Sequence, residues 1–138
     1  AHSDPPRRIA RQSFHLFAKI RDIDAHMTPA LQQRVMEVHP ELAFWAMNGA
    51  RPLDLPKKVK GTPSPAGMGL RRQLLAAAGF PITRLAPPAA PKSQWGEDDL
   101  LDAAACAWSA RRIAEGTAIR LPDDPPRDGR GLAMEIRA

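Results

Sequence analysis

The sequence predicts a mixed α/β fold, and three observations carry that expectation. Apolar residues recur at helical spacing in several stretches, and short runs rich in β-branched or long apolar residues lie between them. The 15 prolines gather in three stretches where neither pattern holds, which read as loops. A chain of 138 residues, 43% of them apolar, suits one domain with a core of its own.

The first helix is expected to be capped by Ser3 or Asp4, with Pro5 and Pro6 in its first turn, where proline is tolerated. Ile9, Phe14, Leu16, Phe17, Ile20 and Ile23 give it an apolar face to about Met27, where Thr28 and Pro29 break it. Residues 34–38 predict a buried strand ending at His39-Pro40. Pro40 then starts a short helix through Leu42, Phe44, Trp45 and Met47, stopped by Asn48-Gly49.

Residues 50–66 read as a loop and residues 69–78 as a helix with Gly79 as its terminator. A second loop covers residues 80–96. The strongest helix signal runs from Glu97 to about Glu115, with acids in its first turn and Arg111-Arg112 in its last, matching the helix dipole at both ends. Short strands are expected at 118–121 and 132–136, separated by a loop at 122–130. That is too few strands for an open sheet, and the first residue is Ala, so an N-terminal half is expected to lie upstream.

Composition excludes several classes. The lone cysteine, Cys106, rules out an internal disulfide and a Cys-rich zinc site. No apolar run approaches the roughly 20 residues that span a bilayer, and no signal-peptide pattern opens the chain. The chain therefore reads as cytoplasmic, with no membrane partner. The net charge of +5 is compatible with a nucleic-acid partner but is not evidence of one, because the basic residues are scattered and a generic solvated surface explains them more simply.

The strongest candidate for chemistry is Asp98-Asp99-Leu100-Leu101-Asp102. Asp98 and Asp102 are one helical turn apart, and Asp99 and Asp102 are i, i+3 neighbours. Carboxylates crowded this way need a positive charge, which a divalent cation such as Mg²⁺ supplies through oxygen ligands. The alternative is that Asp98 and Asp99 simply complement the helix dipole, while Asp102 makes a structural hydrogen bond at the edge of the apolar stripe.

A second constellation is Glu37-Val38-His39-Pro40-Glu41, where strand alternation puts Glu37 and His39 on one side. Its plainer reading is a helix cap made by His39 or Glu41. Lys57, Lys58 and Lys60, with Arg71 and Arg72, form a candidate phosphate clamp, although charge runs of this kind are more often simply solvated.

These residues also carry a likeness. Residues 35–46 resemble the "EVHPE-x-x-F-W" signature of a domain-of-unknown-function family (number 429) predicted to be RNase H-like nucleases. Residues 17–24 are similar to its "KI-x-E-x-D" helix, and Asp98-Asp99-Leu100-Leu101-Asp102-Ala103 through Trp108 to its "DDLLDA…AW" helix. Lys57-Lys58, Gly61, Arg71 or Arg72, and then Gly79 resemble its middle segment. Asp128, Gly131-Leu132 and Met134-Glu135-Ile136 resemble its C-terminal end.

The resemblance implies an RNase H-like mixed sheet flanked by helices, present here as a C-terminal portion. It also implies phosphodiester hydrolysis with Mg²⁺ or Mn²⁺ held by Asp98, Asp99, Asp102 and Glu37. The family's "G-x-D" strand and "D-x-P-x-G-L" strand have no counterpart in this sequence, so the resemblance supplies part of that cluster. Two other arrangements stay open: a non-catalytic nucleic-acid-binding or regulatory module with the same fold, and a homo-oligomer paired through strand edges.

Overall fold

Helices dominate the computed structural model, which describes residues 9–86, 89, 91 and 94–138, and two short antiparallel ladders make the arrangement mixed α/β. Its contacts fall into two compact units, one of residues up to Val35 with Arg127–Leu132, the other of Met36–Pro126 with Ala133–Ala138.

In the first unit, helix α1 (Arg11–His26) starts without a side-chain cap; the expected cap at Ser3 or Asp4 lies outside the described residues. Ile9 lies just before this helix, and Phe14, Leu16, Phe17, Ile20 and Ile23 lie along it; each of the six stays 40–65% exposed. Phe14 and Phe17 meet edge to face at 6.0 Å. Thr28 then caps the single turn α2 (Pro29–Gln32), its hydroxyl accepting the Leu31 N–H at 3.1 Å with Pro29 at the first helical position. In the other segment of this unit, the Asp128 carboxylate accepts the backbone N–H groups of Arg130 and Leu132, which holds it below its ordinary pKa. Arg130 reaches back to both the carboxylate and the carbonyl of Asp24.

The strand expected at 34–38 is not formed. Thr28 and Pro29 nucleate α2, the chain turns at residues 33–34, and only Val38 pairs, in one parallel bridge to Arg137. The turn and bend at residues 33–35 that follow α2 override the strand preference of Val35, while Val38 keeps its own.

The second unit holds the core. Helix α3 (Pro40–Met47) begins and ends where the sequence places it. The segment read as a loop contains a hairpin, β1 (Lys58–Val59) with β2 (Thr62–Pro63), joined by Lys60-Gly61 with both residues at positive φ. Helix α4 (Pro65–Ala77) follows, capped by Ser64, and starts four residues before the position expected.

A 3₁₀ turn (Ile82–Leu85) leads toward α5 (Glu97–Ala114), the long alanine-rich helix. Phe44 and Ala43 of α3, Met68 and Leu75 of α4, Leu85, and Leu101, Ala104, Ala105 and Trp108 of α5 form one buried cluster. At roughly 1.5–3 kcal/mol for each large side chain, this three-helix core is the main source of the unit's stability.

The expected C-terminal strands are present as β3 (Arg120–Leu121) and β4 (Ile136–Arg137), paired antiparallel. With the Val38 bridge they make a small ladder of mixed direction. No described helix is long and apolar enough to cross a membrane.

Gly67 fixes how α4 meets the preceding chain. A Cβ there would lie 2.0 Å from the Pro56 carbonyl oxygen, so only glycine lets the residue 50–56 segment cross the helix and deliver Lys57 and Lys58.

Candidate functional site

The α5 face that packs into the core carries Leu101, Ala104, Ala105 and Trp108, and Asp98 lies one turn before Leu101 on that face. Asp98 is therefore 8% exposed, although it stands in the first helical turn. Asp102 sits at the edge of the same face, its side chain 26% exposed. Asp99 points outward and is exposed.

The hairpin brings two lysines to these acids. Lys57 Nζ is 2.5 Å from Asp102 Oδ2 and 3.7 Å from Asp98 Oδ2, and Lys58 Nζ is 2.7 Å from Asp98 Oδ2. Two carboxylates one turn apart thus converge on the Lys57 ammonium, which offsets the repulsion that their spacing creates. The other Asp102 oxygen, Oδ1, is buried and has no hydrogen-bond partner among the described residues.

The hydrogen bond from Lys58 holds the Asp98 carboxyl below its ordinary pKa, with the charges of Lys58 and Lys57 adding, against the opposing pull of burial. Lys58 is raised in turn by that hydrogen bond and by Asp98, Asp99 and Asp102. Both shifts favour the charged forms.

The expected phosphate clamp is divided by the fold. Arg71 is 2% exposed and turned inward: Nε and Nη2 donate to the two Glu41 oxygens at 3.1 and 2.6 Å, and Nη1 to the carbonyls of Leu55 and Gly67. Its guanidinium also lies 5.5 Å from the centre of the Phe44 ring. Arg71 therefore anchors α3 to α4 and does not face a polyanion. Arg72 donates to Glu97 at 3.0–3.1 Å and to the Leu85 carbonyl at 2.5 Å.

The Glu37-His39 pair takes no part in this cluster. Both side chains are exposed; the Glu37 carbonyl accepts the Arg137 N–H at 2.9 Å, and His39 is the N-cap residue of α3 without a side-chain cap bond. Glu41 does not cap α3 either, because Arg71 holds it.

Two participants escape a sequence reading. Glu97 resembles any first-turn acid until Arg72 is placed beside it. Glu135, its side chain 9% exposed, holds Arg120 of β3 at 2.6 Å across the ladder and Arg137, two residues on, at 2.8 Å. Burial raises Glu135, but the two arginines outweigh it and keep the carboxyl below its ordinary pKa. The alternation of Glu135 and Arg137 was the available signal.

Among the described residues no group of three or more His, Cys, Asp or Glu side chains is gathered for a metal ion. Mg²⁺, however, is commonly held by one or two carboxylates together with substrate phosphates and retained waters. The two carboxylates that converge here, Asp98 and Asp102, already hold the Lys57 and Lys58 ammoniums, and Asp102 Oδ1 lies buried beside them.

A family model described as "Protein of unknown function (DUF429)" matches residues 1–127. No curated protein and no solved structure matches the chain.

Proposed function

The chain belongs to this family of unknown function, and on that footing we propose that it serves a metal-dependent phosphodiester hydrolysis of RNase H-like type, with Asp98 and Asp102 as the carboxylates that take a hydrated Mg²⁺ or Mn²⁺. The observation that carries this reading is the shared approach of both Oδ2 atoms to one cationic nitrogen, at 2.5 and 3.7 Å.

A divalent cation bound there supplies an acidified water and charge stabilisation for the leaving oxygen. The chain's own residues do the rest. Asp98 and Asp102, fixed on α5, provide the negative charge, and the Arg71–Glu41 pair braces α3 against α4. In this reading the Lys57 and Lys58 ammoniums, now paired with these acids, would meet a phosphate oxygen.

Mn²⁺ titration of the chain, followed by calorimetry and by the electron paramagnetic resonance of the free ion, tests this. One site that Asp102→Asn and Asp98→Asn each weaken at least tenfold is the expected result. Binding that survives both substitutions removes the mechanism.

One observation favours the competing reading, a nucleic-acid-binding module without chemistry: each acid already has a lysine partner. Oligonucleotide binding that is salt-dependent and indifferent to chelator is the result that selects it.

A further inference from the structure

Independently of the Asp98–Asp102 cluster, we infer that the hollow at the C-terminal ends of α3, α4 and α5 binds a small aromatic carboxylate, its ring on the apolar floor and its charge on Arg112.

The space comes from small side chains. Within the second unit, Ala46 near the end of α3 and Ala77 and Ala78 at the end of α4 border, with Trp108 of α5, a hollow of about 470 Å³. That volume lies within the range of roughly 300–1,000 Å³ typical of small-molecule sites. Three methyl groups and an indole make a floor that an aromatic ring can cover.

The charge comes from α5, whose Arg111, Arg112 and Glu115 stand at the rim. Arg112 lies 4.7 Å from the centre of the Trp108 ring and donates through Nη2 to the Thr117 carbonyl. Neither partner is an anion, and among the described residues no carboxylate pairs with it. Glu115 approaches Arg111 instead, at 3.9 Å.

Helix C-termini ordinarily disfavour an anion, because their last carbonyls are left unpaired. Here those carbonyls are taken. The N–H groups of Asn48, Gly49 and Ala50 close the end of α3, and those of Ala78, Gly79 and Phe80 close α4. Glu115, Gly116 and Thr117 do the same for α5. Arg111 donates to the Ala78 carbonyl as well, at 3.0 Å.

What remains at the rim is the Arg112 charge, on a planar fork whose geometry matches a carboxylate. Its contact with Trp108 holds that fork in advance, which lowers the ordering cost of binding.

Calorimetric titration with 2-naphthoate tests this, beside the uncharged 2-naphthamide and the cationic 2-naphthylmethylammonium, which keep the ring and change the charge. Ala77→Leu fills the hollow from an exposed helical position where leucine is well tolerated, and Arg112→Gln removes the rim charge. Lys60→Gln removes the same charge from a residue that does not line the hollow, and circular dichroism checks that each variant is folded. Saturable binding of 2-naphthoate should weaken at least tenfold in Ala77→Leu and in Arg112→Gln, but less than threefold in Lys60→Gln. The amide and the ammonium should each bind the unaltered chain at least tenfold more weakly than 2-naphthoate. An affinity unchanged in Ala77→Leu or in Arg112→Gln, an amide or ammonium that binds as tightly, or no saturable binding of 2-naphthoate overturns the inference.

Discussion

Removing either partner of the Arg71–Glu41 pair breaks the two hydrogen bonds between them, and losing Arg71 also ends the Nη1 bonds to the Leu55 and Gly67 carbonyls, yet the buried charge should make the loss of Glu41 the larger. The guanidinium is 2% exposed, whereas the Glu41 side chain is 42% exposed. Glu41→Ala leaves a charge stranded where water cannot reach it, and a buried charge without its partner costs about 3–5 kcal/mol. Two carbonyls, of Leu55 and Gly67, continue to accept from Nη1, which sets the expectation near the lower bound, about 3 kcal/mol. Arg71→Met instead removes the buried charge, keeps an unbranched apolar stem against Phe44, and leaves a carboxylate that rehydrates. That change should cost about 1–2 kcal/mol. Urea unfolding followed by circular dichroism reads both values from midpoints at constant slope. Arg71→Met as destabilising as Glu41→Ala, or more so, refutes the reasoning, because the exposed partner would then be the one that water cannot serve.

Other expectations follow from the same contacts. Gly67→Ala, which in an ordinary helix interior gains up to about 1 kcal/mol, should here lose about 1–3 kcal/mol or more, since the new methyl meets the Pro56 carbonyl; thermal melting gives the sign. Asp98 is depressed below its ordinary 3.8, so its contribution to stability is complete above that pH and is lost as pH falls through the lower folded value. Lys58 is raised above 10.5, so its contribution is complete below that pH and is lost as pH climbs past the folded value. Stability measured against pH should be flat with respect to this pair between those limits, and Asp98→Asn should flatten the acid limb, to which Asp128 and Glu135 also contribute. Burial, and then the charge of Asp102, raise the Cys106 thiol, so it should react with a disulfide reagent at neutral pH more slowly than it does in the urea-unfolded chain.

The helices of the second unit were legible because their signals are local. Pro40 and Asn48-Gly49 bracket α3, and the acids and arginines at the two ends of α5 mark it to within a residue. The hairpin was missed because Lys60-Gly61 lacks the Asn or Asp that usually marks such a turn. At residues 34–38 the composition favoured a strand, and the turn and bend that follow α2 decided otherwise.

The candidate site shows a different limit. Asp98 and Asp102 stood out as crowded acids, and Lys57 and Lys58 as a basic pair, each from its own neighbourhood. Nothing local says that residues 45 positions apart in the chain, Lys57 and Asp102, are partners. Arg71 and Glu41, 30 positions apart, carry separate local signals for the same reason, and long-range packing joins them.

The row of Phe14, Leu16, Phe17, Ile20 and Ile23 along α1 has a practical consequence at the bench. Six large apolar side chains, counting Ile9, are each 40–65% exposed, and apolar surface left in water is what makes soluble proteins stick. The folded chain should brighten an anilinonaphthalene dye, be retained on a phenyl resin, and precipitate early in ammonium sulfate. Changing Ile20 and Ile23 to serine should relieve all three while leaving the three-helix core untouched, since neither residue belongs to it.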